Sequence, residues 1–301
     1  MTDGTPKRAH SMAEFRALMG RMMAPVADAA SFAPFAPRPS DIVISPYGKC
    51  GTTWLQQTFH TLRTGGDMDF DDISRVVPWI ETAPVLQIDL NAEQRAEPRG
   101  FKSHLSYAGV PKGARYVVSL RDPQDAFVSM FRFMEGWWIE PGTVPMADFF
   151  EGWLHGGPEG GGYFAHLLSW WDQRNNPDVL LLSYGAMIDA PAQHIRKLAG
   201  FCGIAIDDAL LALTLERSSI SYMLAHKDRF DDAMQRSLSE TKCNLPPGSD
   251  SAKVRRGGVG LDRKELTADL AARIDAAWAA QVAPHTGLAD FAAFEAALKA
   301  A

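Results

Sequence analysis

The sequence predicts an α/β fold with a mainly parallel central sheet flanked by helices on both faces. Two observations predict it. Four short apolar runs, DIVIS, GFKSH, ARYVVSL and DVLLLSY, are separated by longer stretches with helical periodicity. The first of them passes through a glycine-bearing turn straight into a helical pattern, which is half of a βαβ unit. Strands joined by helical crossovers lie parallel, and a parallel sheet needs cover on both sides.

Residues 1–40 read as a lead-in, with a short helical pattern in SMAEFRALMGRMMAPVADAA and an extended, Pro-rich stretch in SFAPFAPRPS. The fold proper, a single domain over 41–301, begins with the strand DIVIS, and the helix after it covers Thr52 to Leu62. GFKSH (Gly100 to His104) and ARYVVSL (Ala114 to Leu120) are the second and third strands. In RDPQDAFVSMFRFM, Asp122 suits an N-cap, Pro123 the first helical position, and Asp125 adds a carboxylate in the first turn. DVLLLSY (Asp178 to Tyr184) is the fourth strand, and APAQHIRKLAGFCG is a helix closed by glycine. Two stretches read as mobile loops: HGGPEGGG (His155 to Gly162), and the polar run 226–258 with its NLPPGSDS, which is expected to act as a lid.

With 301 residues, 46% hydrophobic and 22% charged, the chain can bury a sizeable core. A net charge of −6 argues against nucleic acid as a partner, since binding it takes a basic surface. Cys50, Cys202 and Cys243 are widely spaced and odd in number, which supports neither a disulfide framework nor a zinc site and fits a reducing cytoplasm. The N-terminus lacks an apolar core of signal-peptide length, and nowhere do eighteen apolar residues run together, so neither export nor a membrane span is expected.

The turn GKCGTT holds the chemistry. A Walker A loop places lysine directly after its last glycine; here Lys49 precedes Gly51 and two threonines follow. A strand feeding such a turn presents free backbone N–H groups and the positive end of a helix dipole, a P-loop-like setting for an anion. Lys49 adds a charge, Gly48 and Gly51 allow close backbone approach, and Thr52 and Thr53 supply hydroxyls. The residues alone leave two readings open, a phosphate or sulfate site and a glycine-rich helix start with a solvated lysine. Cys50 beside a helix N-terminus invites a nucleophilic role. A phosphatase-type C-x5-R loop would need arginine where Gln56 stands, so Cys50 reads better as a small loop residue.

GKCGTTWLQ closely resembles the PKSGTTW signature of sulfotransferases that use 3′-phosphoadenosine 5′-phosphosulfate (PAPS). Further segments agree in order: FKSHL with KTHLP, VVSLRDPQDAFVSMFRF with R-N-x-x-D-x-x-V-S-x-x-x-F, WWDQRNNPDVLLLSYGAM with WW…VLYLFYEDM, and VRRGGVGLDRKELT with RKGxxGDWKxxFT. The likeness runs from Asp41 to Thr267, about three-quarters of the chain. It implies that Lys49, Gly51, Thr52 and Thr53 hold the 5′-phosphosulfate, that Trp54 stacks on adenine, and that Arg121 and Ser129 bind the 3′-phosphate. Tyr184 would help fix the nucleotide, and Arg255, Arg256 and Gly257 would close on the 3′-phosphate. Without the resemblance, Arg121 reads equally as a surface ion-pair residue, Tyr184 as a strand-end tyrosine, and the basic run near Arg255 as a solvated face.

Sulfuryl transfer moves a group in line between two oxygens, so positioning and charge neutralisation dominate. The resemblance makes His104 the general base, with Lys49 and Lys102 stabilising the departing phosphate. An imidazole with an ordinary pKa of about 6.5 is mostly neutral at pH 7, as a base must be. No metal is expected, because lysines and backbone donors supply the charge. His166 reads as packing. The acceptor is expected to be a small hydrophobic phenol or alcohol, or an amine, in a pocket lined by Trp79, Phe131, Phe133, Met134, Trp137 and Trp138, although aromatic residues at helical spacing also suit a core.

Several family positions differ. Cys50 replaces serine, YGAM lacks an acidic pair, Ile220 stands where phenylalanine is usual, and Asp262 replaces the tryptophan of GDWK. No copy of the KTVPGTVE dimer segment is present, which leaves a homo-oligomer open. Two rival readings are a kinase or other P-loop NTPase with a degenerate loop, and a non-catalytic nucleotide-binding protein on the same fold.

Overall fold

Alternation along the strands sorts their side chains onto two buried faces. Strands β1 (Ile42–Ile44), β2 (Gly100–Lys102), β3 (Arg115–Leu120) and β4 (Val179–Ser183) form one parallel sheet in the order β2-β1-β3-β4. The structure is a computed structural model and describes residues 5–26, 31–156, 161–249, 253–255 and 257–300. Val43, Tyr116, Val118 and Leu181 face an aromatic-rich layer that includes Phe127, Phe150, Trp153 and Trp170. Ile42, Ile44, Val117, Leu180 and Leu182 face the opposite layer, with Leu55 and Phe59 of helix α2 (Thr52–Thr64) and Ile195 and Leu198 of the helix Pro191–Cys202. Each such side chain, fully buried, stabilises the fold by about 1.5–3 kcal/mol.

All four expected strands are present, as are the helices that follow the first, third and fourth. Asp122 caps the helix Pro123–Trp137 by accepting from the N–H groups of Gln124 (2.9 Å) and Asp125 (3.3 Å). Gly203 closes the helix Pro191–Cys202 at φ 71°. Tyr184 differs from its expected place. It is the first residue of a short helix, Tyr184–Asp189, because the Ser183 hydroxyl accepts from the Ala186 N–H (3.1 Å) and so starts the helix one residue earlier.

The polar run after His226 is more structured than a loop. It contains a 3-10 turn, Lys227–Phe230, and a helix, Ala233–Cys243. The inward face of that helix is small and polar, so it leaves no apolar period to read. Gln235 donates to Thr82 Oγ1 (2.9 Å), Ser239 Oγ accepts from Trp137 Nε1 (3.0 Å), and Cys243 is buried. Helix α1 (Met12–Met23) of the lead-in packs against it, with Lys242 Nζ donating to the Met22 carbonyl at 3.0 Å. Of HGGPEGGG, residues 157–160 lie outside the described ones. Among the described residues, no helix is long and apolar enough to cross a membrane.

From β1 the chain crosses to β2 on one side and then returns to β3 on the other, so the sheet's switch point lies at the carboxyl end of β1. Open α/β sheets bind ligands in the crevice at such a point. At the opposite end of β1, Arg99 and Asp41 are paired by two bonds, Nε to Oδ1 at 3.0 Å and Nη2 to Oδ2 at 2.6 Å, with both residues almost wholly buried. This pair ties the starts of β1 and β2 together. Asp41→Ala strands the Arg99 charge and is expected to lower unfolding free energy by about 3–5 kcal/mol in urea titrations. A loss below about 1 kcal/mol, the scale of an exposed pair, would refute that anchoring role.

Candidate active site

The β1–α2 turn is bent by backbone that ordinary residues avoid. Lys49 has φ 68° and Gly51 φ 95°, and a Cβ on Gly51 would sit 2.9 Å from the Tyr184 ring. Glycine is therefore required at 51 for both conformation and space. The turn's carbonyls are tied back to β3. Arg121 Nη1 donates to the Lys49 carbonyl (2.9 Å), and the Ser119 hydroxyl donates to that of Cys50. Among the described residues no side chain caps α2, and the buried Thr52 Oγ1 has no partner. The first N–H groups of the helix and a free hydroxyl are thus left for an incoming anion.

The turn opens onto a cavity of about 450 Å³. Of the residues named from the sequence, Lys49, Gly51, Thr52, Thr53, Trp54, Lys102, His104, Arg121, Ser129, Tyr184, Arg255 and Gly257 all line it. Arg256 lies outside the described residues. Gly257, at φ 54°, packs its backbone on Ile220, where a Cβ would come within 3.0 Å. Trp79, Phe133 and Met134 also line the cavity, but Phe131, Trp137 and Trp138 do not. Those three are buried in the core. The reason is helical phase: on Pro123–Trp137, residues 130, 133 and 134 share one face, whereas Phe131 packs on Phe149 and Trp137 bonds to Ser239. Phe131, Trp137 and Trp138 are removed from the expected acceptor wall.

Two groups of charges face the cavity. In the first, Lys102 Nζ lies 3.7 Å from the Trp79 ring centroid and 3.7 Å from Asp232 Oδ1, and Lys253 Nζ also binds Asp232. Lys49 Nζ sits 4.6 Å over the Phe133 ring and donates to the Lys253 carbonyl at 3.0 Å. His104 lies beside them, its ring edge-on to Trp79 at 5.1 Å. In the second group, Arg121 stacks over Tyr184 (4.7 Å) and pairs with Asp262 (3.0 Å), which also pairs with Arg255 (2.5 Å).

Comparison with known proteins places the chain in a family. The sulfotransferase domain family matches residues 39–285. The chain belongs to this family. It is 30% identical over 200 residues to dog sulfotransferase 1B1, covering 63% of this chain and 68% of that protein. It is 29% identical over 255 residues to bovine sulfotransferase 1E1, covering 80% and 83% of the two chains. A crystal structure of retinol dehydratase in complex with androsterone and the inactive cofactor PAP shares the fold, with TM-score 0.69 and 16% identity over 92% of this chain and 95% of that one.

The cavity and the shell behind it contain residues that the sequence did not single out. Asp232 is one: it lies in a polar, Asp-rich stretch that looks solvated, yet it is 1% exposed. Burial would raise its pKa, but Lys102 and Lys253 outweigh that and hold it at about 2. Glu81 is another. Its Oε1 accepts the His104 backbone N–H at 2.6 Å, and burial raises its pKa. Lys253, two residues before Arg255 in the chain, groups with Lys102 and Lys49 rather than with Arg255. Cys50 is not a reactive thiol, since burial pushes it up to about 12.

Burial, then the neighbouring Lys253 and Arg121, lowers Lys49 to about 7. Burial lowers Lys102 to about 8, against the opposing pull of Asp232. A bound anion favours the charged ammonium and so raises both values, which means that binding takes up protons above neutrality. Affinity for sulfate, which carries no proton in this range, is therefore expected to fall as pH rises past neutrality, with net proton uptake at about pH 8. Calorimetry in buffers of different ionisation enthalpy measures this, and uptake indistinguishable from zero would contradict the role of Lys49.

Proposed function

We propose that this sulfotransferase takes the sulfuryl group from PAPS and passes it to the hydroxyl or amine of a small, hydrophobic acceptor, with His104 as general base. The observation that carries this reading is the tautomer of His104. Its Nδ1 lies 2.7 Å from the Pro46 carbonyl, which can only accept. Nδ1 therefore bears the proton, and Nε2 is left with a lone pair on a side chain that lines the same cavity as Lys49. Burial and the Lys102 cation lower His104 to about 3, so the ring is neutral at physiological pH. Negative charge from the bound donor offsets Lys102 and Lys49 and makes the ring a stronger base when it is needed.

In the transfer, the acceptor oxygen or nitrogen forms a bond to sulfur as its proton passes to His104 Nε2. The bond from sulfur to the 5′-phosphate oxygen breaks, and its electrons leave with adenosine 3′,5′-bisphosphate. Lys49 and Lys102 neutralise that leaving group, and the start of α2 with Thr52 and Thr53 orients it. The buried Thr52 hydroxyl and Arg121 Nε, without partners among the described residues, suit a ligand that supplies acceptors. Trp79, Phe133 and Met134 form an apolar wall beside His104 that suits a phenol or alcohol. Retinol dehydratase, of the same fold, carries PAP in its crystal structure, which supports the donor assignment by analogy.

Calorimetry with adenosine 3′,5′-bisphosphate should show binding that ATP with magnesium does not match. His104→Ala should keep that binding and lose turnover by roughly a hundredfold or more, the usual scale for a general base. An unchanged rate of sulfate transfer to a panel of phenols and alcohols would remove His104 from the mechanism. The lid role of 226–258 rests on Asp232, Lys253, Arg255 and Gly257, which form part of the cavity wall. Limited proteolysis within this stretch should slow when adenosine 3′,5′-bisphosphate is present, and equal cleavage with and without it would count against the lid.

A further inference from the structure

We infer that Asp262 is a specificity determinant: a built-in carboxylate seated among the cations assigned to the 3′-phosphate, which reduces the enzyme's preference for a 3′-phosphorylated nucleotide. The inference rests on the donor reading above. Asp262 is 7% exposed and lines the cavity. Its Oδ2 accepts from Arg121 Nη2 at 3.0 Å and its Oδ1 from Arg255 Nη2 at 2.5 Å. One carboxylate thus engages both described guanidinium groups of that subsite, as a phosphate would.

The carboxylate is held there. The N–H groups of Gly260 and Arg263, on either side, donate to Asp125 at 2.7 Å and 3.1 Å, and Asp125 is fully buried. The Asp262 carbonyl accepts from Glu265 N–H at 3.0 Å, closing a short 3-10 turn. A segment pinned on both flanks does not swing the side chain away at little cost. Arg121 is engaged as well: Nη1 donates to the Lys49 carbonyl and Nη2 to Asp262, and the buried Nε has no partner among the described residues. A 3′-phosphate entering beside Asp262 meets two guanidinium groups and one like charge. A nucleotide without the 3′-phosphate meets the same lysines and helix start and loses nothing at this subsite. Like-charge juxtaposition in a buried site is costly, so the carboxylate selects between the two classes of nucleotide.

The test compares adenosine 3′,5′-bisphosphate with adenosine 5′-phosphate by calorimetry on the full chain, in the wild type, Asp262→Asn and Asp262→Ala. Circular dichroism and thermal melts verify the fold of each variant. Replacing the charge is expected to raise the affinity ratio, bisphosphate over monophosphate, by about tenfold or more in at least the Asn variant. Affinity for the monophosphate should change little, a pattern that general damage to the site does not produce. An unchanged or smaller ratio in both variants overturns the inference and leaves the donor reading intact. If neither nucleotide binds the wild type or either variant, the donor reading fails and the inference goes with it.

Discussion

The site is governed by the crowding of positive charge around one buried cavity in a chain whose net charge is −6. Six cationic side chains, Lys49, Lys102, Arg121, Arg132, Lys253 and Arg255, line the cavity, and the acidic side chains among its lining residues are Asp232 and Asp262. Desolvation and mutual repulsion oppose such an arrangement, and the lowered pKa values of Lys49 and Lys102 are its signature. The rest of the fold bears that cost. A fully buried two-layer core holds the strand ends rigid, so the charges cannot relax apart.

An anion relieves this strain more effectively than water, because it brings the missing countercharge into a low-dielectric space. The strongly bent turn before α2 also becomes intelligible. Lys49 at φ 68° and Gly51 against the Tyr184 ring are unfavourable for the free chain, yet together they open the helix start onto the cavity that the cations line. Backbone geometry and side-chain charge point to the same ligand class.

Much of this was legible in the sequence because it is locally encoded. Four apolar runs became four strands, and Asp122 with Pro123 fixed a helix start from adjacent residues alone. The ordered likeness to a known family brought Lys49, His104, Arg121 and Tyr184 to one cavity. What stayed hidden depends on partners far along the chain. Nothing local distinguishes Asp232 from a solvated aspartate, since its meaning comes from Lys102 on the second strand. Phe131 and Trp137 share a helix with Phe133 and Met134, Trp138 follows directly as its C-cap, and only packing decides which side meets the core. The helix Ala233–Cys243 was illegible because its buried face is made of glutamine, serine and cysteine.

The two carboxylates divide the cavity in a way that single residues do not reveal. Asp232 sits with Lys102 and Lys253, and Asp262 with Arg121 and Arg255, so each cationic group carries one internal counterion. Lys49 lies beside the first group without a carboxylate within ion-pair reach in the described residues, bonded instead to a backbone carbonyl and placed over an aromatic ring. Burial and the neighbouring Lys253 and Arg121 lower its pKa to about 7, as expected for a charge with little compensation. An unmet demand for negative charge therefore falls at the start of α2, in the turn where the proposed donor would place its phosphate. In the arginine group Asp262 already supplies one carboxylate, and any ligand entering there would have to share the guanidinium groups with it.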